Sequence, residues 1–194
     1  MLSKILFSIL FLFTFSFAVN AADNSEKLIV GDKVSDFTIN NYDGATYTLS
    51  NSGANATVIV FMSTECPFVQ PYTDRLNNLV NEFGGKGIAF WGVNSNNTEP
   101  TENVMTHATE KKYGFPVLKD VNNVVADQLS AERTPEVFVV DNKTMTLIYH
   151  GRIDDNKEAD KVTSNDLQNA LNDFLAGKEI ALKETKAFGC TIKR

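Results

Sequence analysis

T-V-I-V-F-M-S-T-E-C-P-F-V-Q-P-Y-T-D-R-L-N-N-L-V-N-E-F, Thr57 to Phe83, changes its period at a cysteine. From Thr57 to Met62 the residues are apolar or β-branched without interruption, the pattern of a strand buried on both faces, as central parallel strands are. After Cys66 the apolar residues Val69, Tyr72, Leu76, Leu79, Val80 and Phe83 recur at spacings of three and four, the stripe of an amphipathic helix. The stretch therefore predicts strand, turn, cysteine, helix, with Cys66 at the helix N-terminus. Unpaired N–H groups and the helix dipole favour an anion there, so the thiol is expected to titrate below its free value and to act as a nucleophile. Glu65, next to it, would oppose the thiolate or accept its proton. Pro71, five residues on, is expected to kink the helix.

Working outward, Asp36–Ile39 and Thr46–Leu49 flank the turn Asn41-Tyr42-Asp43-Gly44, a hairpin signal, and the segment before Lys33 reads as polar and loosely held. On the other side, Gly84–Gly87 ends the first helix and Ile88–Val93 is a second apolar strand, so the pair forms a βαβ unit. Polar Asn94–Asn97 is a loop at the same sheet edge as Cys66. A helix from Thr98 to about Tyr113, a short segment Phe115–Leu118 and a helix over Val121–Leu129 follow. Val137–Val140 and Thr146–Tyr149 form a hairpin around Asp141-Asn142-Lys143. The last helix has Ser164 as its expected cap, the stripe Leu167, Ala170, Leu171, Phe174, Leu175, and Gly177 at its end.

Residues 1–21 join Lys4, an apolar run from Ile5 to Val19 and the small-residue pattern Val19-Asn20-Ala21. This predicts a secretory signal peptide cut after Ala21, leaving residues 22–194 as one domain in the periplasm or outside the cell. No later run approaches the roughly 18 apolar residues of a membrane span. The formal net charge of the 194-residue chain is −6 and becomes −7 when Lys4 is removed, which argues against nucleic acid as a partner. Two cysteines in an exported chain mean a structural disulfide or a redox pair. His107 and His150 are far apart, so with two cysteines they make no metal signature, and neither metal nor cofactor is expected.

The strand, turn and cysteine-headed helix resemble the active-site unit of the thioredoxin superfamily. Thioredoxin has C-x-x-C, whereas Cys66-Pro67-Phe68-Val69 puts valine at the second cysteine. Arg133-Thr134-Pro135, just before the Val137 strand, matches the position that in this superfamily carries a cis-proline facing the cysteine. A cis bond there would leave the Thr134 backbone to pair with an extended substrate. Together S-T-E-C-P, R-T-P-E-V-F-V-V-D, Y-H-G-R-I-D-D and G-C-T-I-K-R resemble the peroxiredoxin-like redoxin (AhpC/TSA-type) family of exported bacterial proteins. The resemblance covers most of residues 22–194. It implies an α/β chain with a thioredoxin fold: an N-terminal β-hairpin, a central mixed sheet flanked by helices, and a helical insertion.

It also implies a redox function, with Cys66 as the attacking thiol, Thr134 and Pro135 positioning the substrate, and Pro67, Glu65 and Ser63 beside it. The missing partner is expected in the tail 178–194: at about 3.3 Å per residue its span can bring Cys190 to Cys66 as a resolving thiol, within one chain or between two. The reading is a thiol-disulfide oxidoreductase acting on protein thiols or disulfides, with an external thiol as reductant. One alternative is a thiol peroxidase acting on a small peroxide. Measured against the peroxiredoxin motif P-x-x-x-T/S-x-x-C, Ser63 fits, Ile59 stands where the proline belongs, and Pro135 is close to the expected arginine, with Arg133 two residues away. The other alternative is a redox-inert binding module in which Cys66 and Cys190 form a permanent disulfide or never meet.

Overall fold

The apolar run lies at the centre of the sheet. In the computed structural model, which describes residues 27–194, the strand Ala56–Phe61 has every residue buried. Side chains alternate across a strand, so Ala56, Val58 and Val60 enter one core and Ile59 and Phe61 the other.

In chain order the elements are β1 (Thr38–Asn40), β2 (Thr46–Thr48), β3 (Ala56–Phe61), α1 (Thr73–Phe83), β4 (Ile88–Asn94), α2 (Thr101–Lys111), β5 (Val117–Lys119), α3 (Val124–Gln128), β6 (Arg133–Thr134), β7 (Glu136–Asp141), β8 (Thr146–Gly151), α4 (Asp166–Leu175) and β9 (Cys190–Thr191). β1 and β2 form the expected hairpin. The main sheet has the order β5-β4-β3-β7-β8, with β3, β4 and β5 parallel and β7 and β8 antiparallel to their neighbours. This is the expected thioredoxin-like α/β arrangement, and the segment before Asp120 adds a short edge strand to it. α1, α2 and α4 cover one face through Leu76, Leu79, Phe83, Val104, Leu167 and Leu171. α3 and the β1–β2 hairpin cover the other, where Val125, Leu129, Phe37, Ile39 and Leu49 pack on Trp91 and Phe138.

Three local expectations are corrected. The α-helix begins at Thr73, seven residues after Cys66: Pro71, expected to kink the helix, has no N–H to give the Pro67 carbonyl and stands in the turn before the helix. The intervening chain makes three-residue turns instead: Val69 N–H donates to the Cys66 carbonyl (3.0 Å) and Tyr72 N–H to that of Val69 (2.9 Å). Ser164 does not cap α4; its hydroxyl bonds the Asp166 carboxylate and Asn165 takes the cap position. The stretch around Lys33 is not loose, since Gly31 and Val34 donate to the Leu147 and Met145 carbonyls and Leu147 donates back to Asp32. The predicted signal peptide lies outside the described residues. Among the described residues no helix is long and apolar enough to cross a membrane.

Candidate active site

The topology brings several loops to one edge. The parallel strands β3, β4 and β5 end at Phe61, Asn94 and Lys119, and β7, running the other way, starts opposite Phe61 at Glu136. Cys66, the polar loop 94–97, Thr134-Pro135 and the end of β8 therefore share the C-terminal edge of the parallel strands, where α/β sheets place their sites.

Cys66 is buried, with 2 % of its surface exposed, and forms a disulfide with Cys190 across a Cα–Cα distance of 6.0 Å. Thr134-Pro135 is cis, and the Thr134 carbonyl oxygen lies 3.1 Å from the Cys66 sulfur. The Thr134 backbone, expected to be free for a substrate, is occupied: β9 pairs antiparallel with β6, Cys190 opposite Thr134 and Thr191 opposite Arg133. The approach is close enough to demand glycine. Gly189 has φ +153°, and a Cβ on it would fall 2.0 Å from the Thr134 oxygen. Further up the tail, a Cβ on Gly151 would meet the Thr185 hydroxyl at 2.0 Å, where the Thr185 N–H pairs with the His150 carbonyl. Beyond Cys190, Ile192 is buried and donates to the Glu132 carbonyl, while Lys193 exchanges bonds with Asn96 and Asn97.

Two buried carboxylates brace these segments. Glu136 follows the cis-proline; its Oε2 accepts the N–H groups of Glu132 and Arg133, both at 2.7 Å, and its Oε1 lies 2.8 Å from His150 Nε2. Burial pushes the Glu136 carboxyl up, but the His150 and backbone hydrogen bonds outweigh it and hold the group below its ordinary range. Glu99, 1 % exposed, accepts bonds from Ser63, Thr64, Asn94 and Asn96. Here too burial works upward and the donors prevail, so the carboxyl titrates low. Lys119 bonds Asn94 and Asn96, and burial lowers its ammonium. A cleft of about 520 Å³, bounded by Arg133, Glu136, His150 and tail residues Thr185, Lys186 and Ala187, opens beside the tail.

Of the residues singled out from sequence, Cys66, Cys190, Thr134 and Pro135 are thus together. Ser63 turns inward: its hydroxyl donates to Glu99 (2.5 Å) and accepts from Glu65 N–H (3.2 Å). Glu65 and Pro67 are exposed on either side of Cys66. Sequence reasoning passed over Glu99 and Glu136 and gave His150 no role. The proximity of Glu136 to the Thr-Pro pair was the available signal for one of them.

The AhpC/TSA family model matches residues 30–149, more than half of the chain. The chain belongs to the AhpC/TSA family. It is similar to the solved structure of a hypothetical protein from Sinorhizobium meliloti, with 31 % identity over 87 % of this chain and 96 % of that one and a TM-score of 0.79. It is equally similar to an uncharacterized conserved protein from Geobacillus kaustophilus, at 31 % identity, 86 % and 92 % coverage and TM-score 0.79. The thioredoxin-like fold extends to StoA from Bacillus subtilis, at 17 % identity, 60 % and 87 % coverage and TM-score 0.53. No curated protein matches the chain. The matched AhpC/TSA segment holds Cys66, Thr134 and Pro135 and stops short of Cys190.

Proposed function

We propose that this AhpC/TSA-family chain is an exported thiol-disulfide oxidoreductase in which Cys66 attacks and Cys190 resolves. The observation that carries the reading is the Cys66–Cys190 disulfide lying against the Thr134 carbonyl, with the Cys190 strand paired on β6. A clamp needs only the bond. Here the second sulfur comes in an extended strand along the backbone where a substrate strand is expected.

In the reducing direction, the Cys66 thiolate attacks one sulfur of a protein disulfide, and that S–S bond breaks with its electron pair leaving on the other sulfur. Cys190, deprotonated, then attacks the Cys66 sulfur of the mixed disulfide and releases the substrate's second thiolate. Two electrons pass from the dithiol to the substrate, whose thiolates take up the two protons. An external thiol restores the dithiol, with Cys190, the less buried of the two residues, as its point of attack. Since the docked tail covers Cys66, the forward step requires the tail to leave β6. The signal-like run Ile5–Val19 supports an extracytoplasmic place of action.

The peroxidase alternative loses support at two atoms. The Ser63 hydroxyl donates to Glu99, and Arg133 directs Nη1 at the Gly189 carbonyl, 3.2 Å away. With insulin as disulfide substrate and dithiothreitol as reductant, the protein is expected to turn over, and Cys190→Ser to accumulate a mixed disulfide on Cys66. Full activity in Cys190→Ser, with both thiols free in oxidised wild type, overturns the resolving role. Peroxide consumption that outpaces insulin reduction favours the peroxidase.

A further inference from the structure

We infer that Glu99 is a positioning residue for the Cys66–Cys190 couple, a buried carboxylate that sets the register of both cysteine segments at once. The inference rests on the reading of these cysteines as a working pair.

The bonds run to both sides. Glu99 Oε2 accepts the Thr64 N–H (2.7 Å), the Thr64 hydroxyl (2.8 Å) and Asn94 Nδ2 (2.6 Å), and Oε1 accepts the Ser63 hydroxyl (2.5 Å) and Asn96 Nδ2. The carboxylate thus holds the two residues that precede Glu65-Cys66. On the opposite side it acts through Asn96. A carboxylate only accepts, so the Asn96 amide must turn its NH2 toward Glu99 and its carbonyl outward. That carbonyl oxygen accepts the Lys193 N–H at 2.7 Å, and the Lys193 carbonyl accepts Asn97 N–H at 2.8 Å. Lys193 lies three residues beyond Cys190, so Glu99, Asn96 and Lys193 tie the tail strand to the loop carrying the nucleophile.

Lys119 completes the arrangement. The Asn94 amide, turned by the same acceptor, offers Oδ1 to Lys119 Nζ at 2.8 Å, and Nζ also donates to the Asn96 carbonyl at 2.7 Å. The cation balances the buried carboxylate through two asparagines and fixes the backbone of the residue that holds the tail. The Asn94, Asn96, Glu99 and Lys119 side chains are all nearly inaccessible, which is costly unless each is satisfied and gives the set one low-energy arrangement. A wrong amide orientation at Asn96 would put NH2 against the Lys193 N–H and push the tail off.

The test uses a thermodynamic cycle. For the whole chain after removal of its leader, the equilibrium constant of the Cys66–Cys190 disulfide against glutathione is measured by thiol trapping, and Tm is measured for oxidised and reduced forms. The variants are Glu99→Gln, which places an NH2 among five donors, and Asn96→Ala, which removes the side chain joining Glu99 Oε1 to the Lys193 N–H, leaves the other four donors to Glu99 in place, and carries the test if Glu99→Gln fails to fold. Each is expected to shift the equilibrium about tenfold toward the dithiol, the worth of one or two buried hydrogen bonds, and to lower the Tm of the oxidised form more than that of the reduced form. A constant within twofold of wild type, with equal Tm losses in both forms, makes Glu99 an ordinary structural group and overturns the inference while leaving the couple intact. Wild type that forms no Cys66–Cys190 disulfide on oxidation overturns the couple and the inference together.

Discussion

Replacing Cys190 by serine opens a loop of 124 residues, and the size of that loop sets the expected cost. In the chain-entropy account, a cross-link over this separation removes about 5 kcal/mol of freedom from the unfolded chain at 25 °C. A domain of ordinary stability has roughly 5–15 kcal/mol in all, so the bond supplies a large fraction of it. The fold does not owe its shape to the bond, since both cores close around β3 without using Cys190 as a main element. The tail also has anchors of its own: burying Ile192 is worth about 1.5–3 kcal/mol, and the main-chain bonds of Ile192 and Lys193 add to it. Cys190→Ser should therefore fold, with a urea midpoint about 2 M below that of oxidised wild type for a slope of roughly 2.5 kcal/mol/M. Reduced wild type should unfold at nearly the same urea concentration as the variant. An oxidised wild-type midpoint that does not move when reductant is added refutes the reasoning, because the cross-link is then absent or spans a loop already closed in the unfolded chain.

Three further outcomes follow from particular atoms. Gly189→Ala drives a Cβ into the Thr134 oxygen at φ +153°, and should shift the disulfide equilibrium toward the dithiol by about 5- to 150-fold, for a strain of roughly 1–3 kcal/mol, as read by thiol trapping; Gly177→Ala, strained at φ +65° but with nothing within 4 Å, should lower Tm and leave that equilibrium alone. The carboxyls of Glu99 and Glu136 both titrate below their ordinary value of 4.5, so their contribution to stability is complete above that value and is lost as pH falls through the lower folded-state values; urea midpoints that rise between pH 6 and pH 3 would contradict this. Ser63→Ala leaves one oxygen of Glu99 short of a donor and should cost about 1–3 kcal/mol in urea unfolding, with insulin reduction by the folded enzyme unchanged, whereas a peroxidatic Ser63 would show itself as lost peroxide turnover at unchanged stability.

How much of this was legible depends on the range of the signal. The β3 run, the stripe of α1 and the two hairpins rest on spacings within a dozen residues, and each stands close to where the sequence puts it. The helix start is misplaced because periodicity sees side chains and not the N–H that Pro71 cannot give to the Pro67 carbonyl; the stripe Val69, Tyr72, Leu76 continues through the tight turns as if they were helix. Ser164 failed as a cap for a related reason, since Asp166 competes for its hydroxyl and Asn165 is the residue that leaves the helical conformation.

The site divides in the same way. Cys66 could be read because a strand ends beside it and fixes its place at the sheet edge, and Thr134-Pro135 through the resemblance to the superfamily position that carries a cis-proline just before a strand. Glu99, Asn94 and Asn96 could not, because a polar residue after a strand has the same local signature whether it faces water or a buried partner. What buries them is the meeting of three chain ends, those of β3, β4 and β5, with the tail closing over Asn96. The two-residue strand β9 has no periodicity to detect: Cys190 and Thr191 become a strand only because β6 lies open beside them and Gly189, just before, has no side chain to hold them apart. That dependence bears on mechanism. A strand that exists only against its partner has little structure to lose on leaving, so in the proposed mechanism a substrate strand competing for β6 has to overcome, once the disulfide is reduced, the buried Ile192 and the bonds of Gly189, Ile192, Lys193 and Arg194.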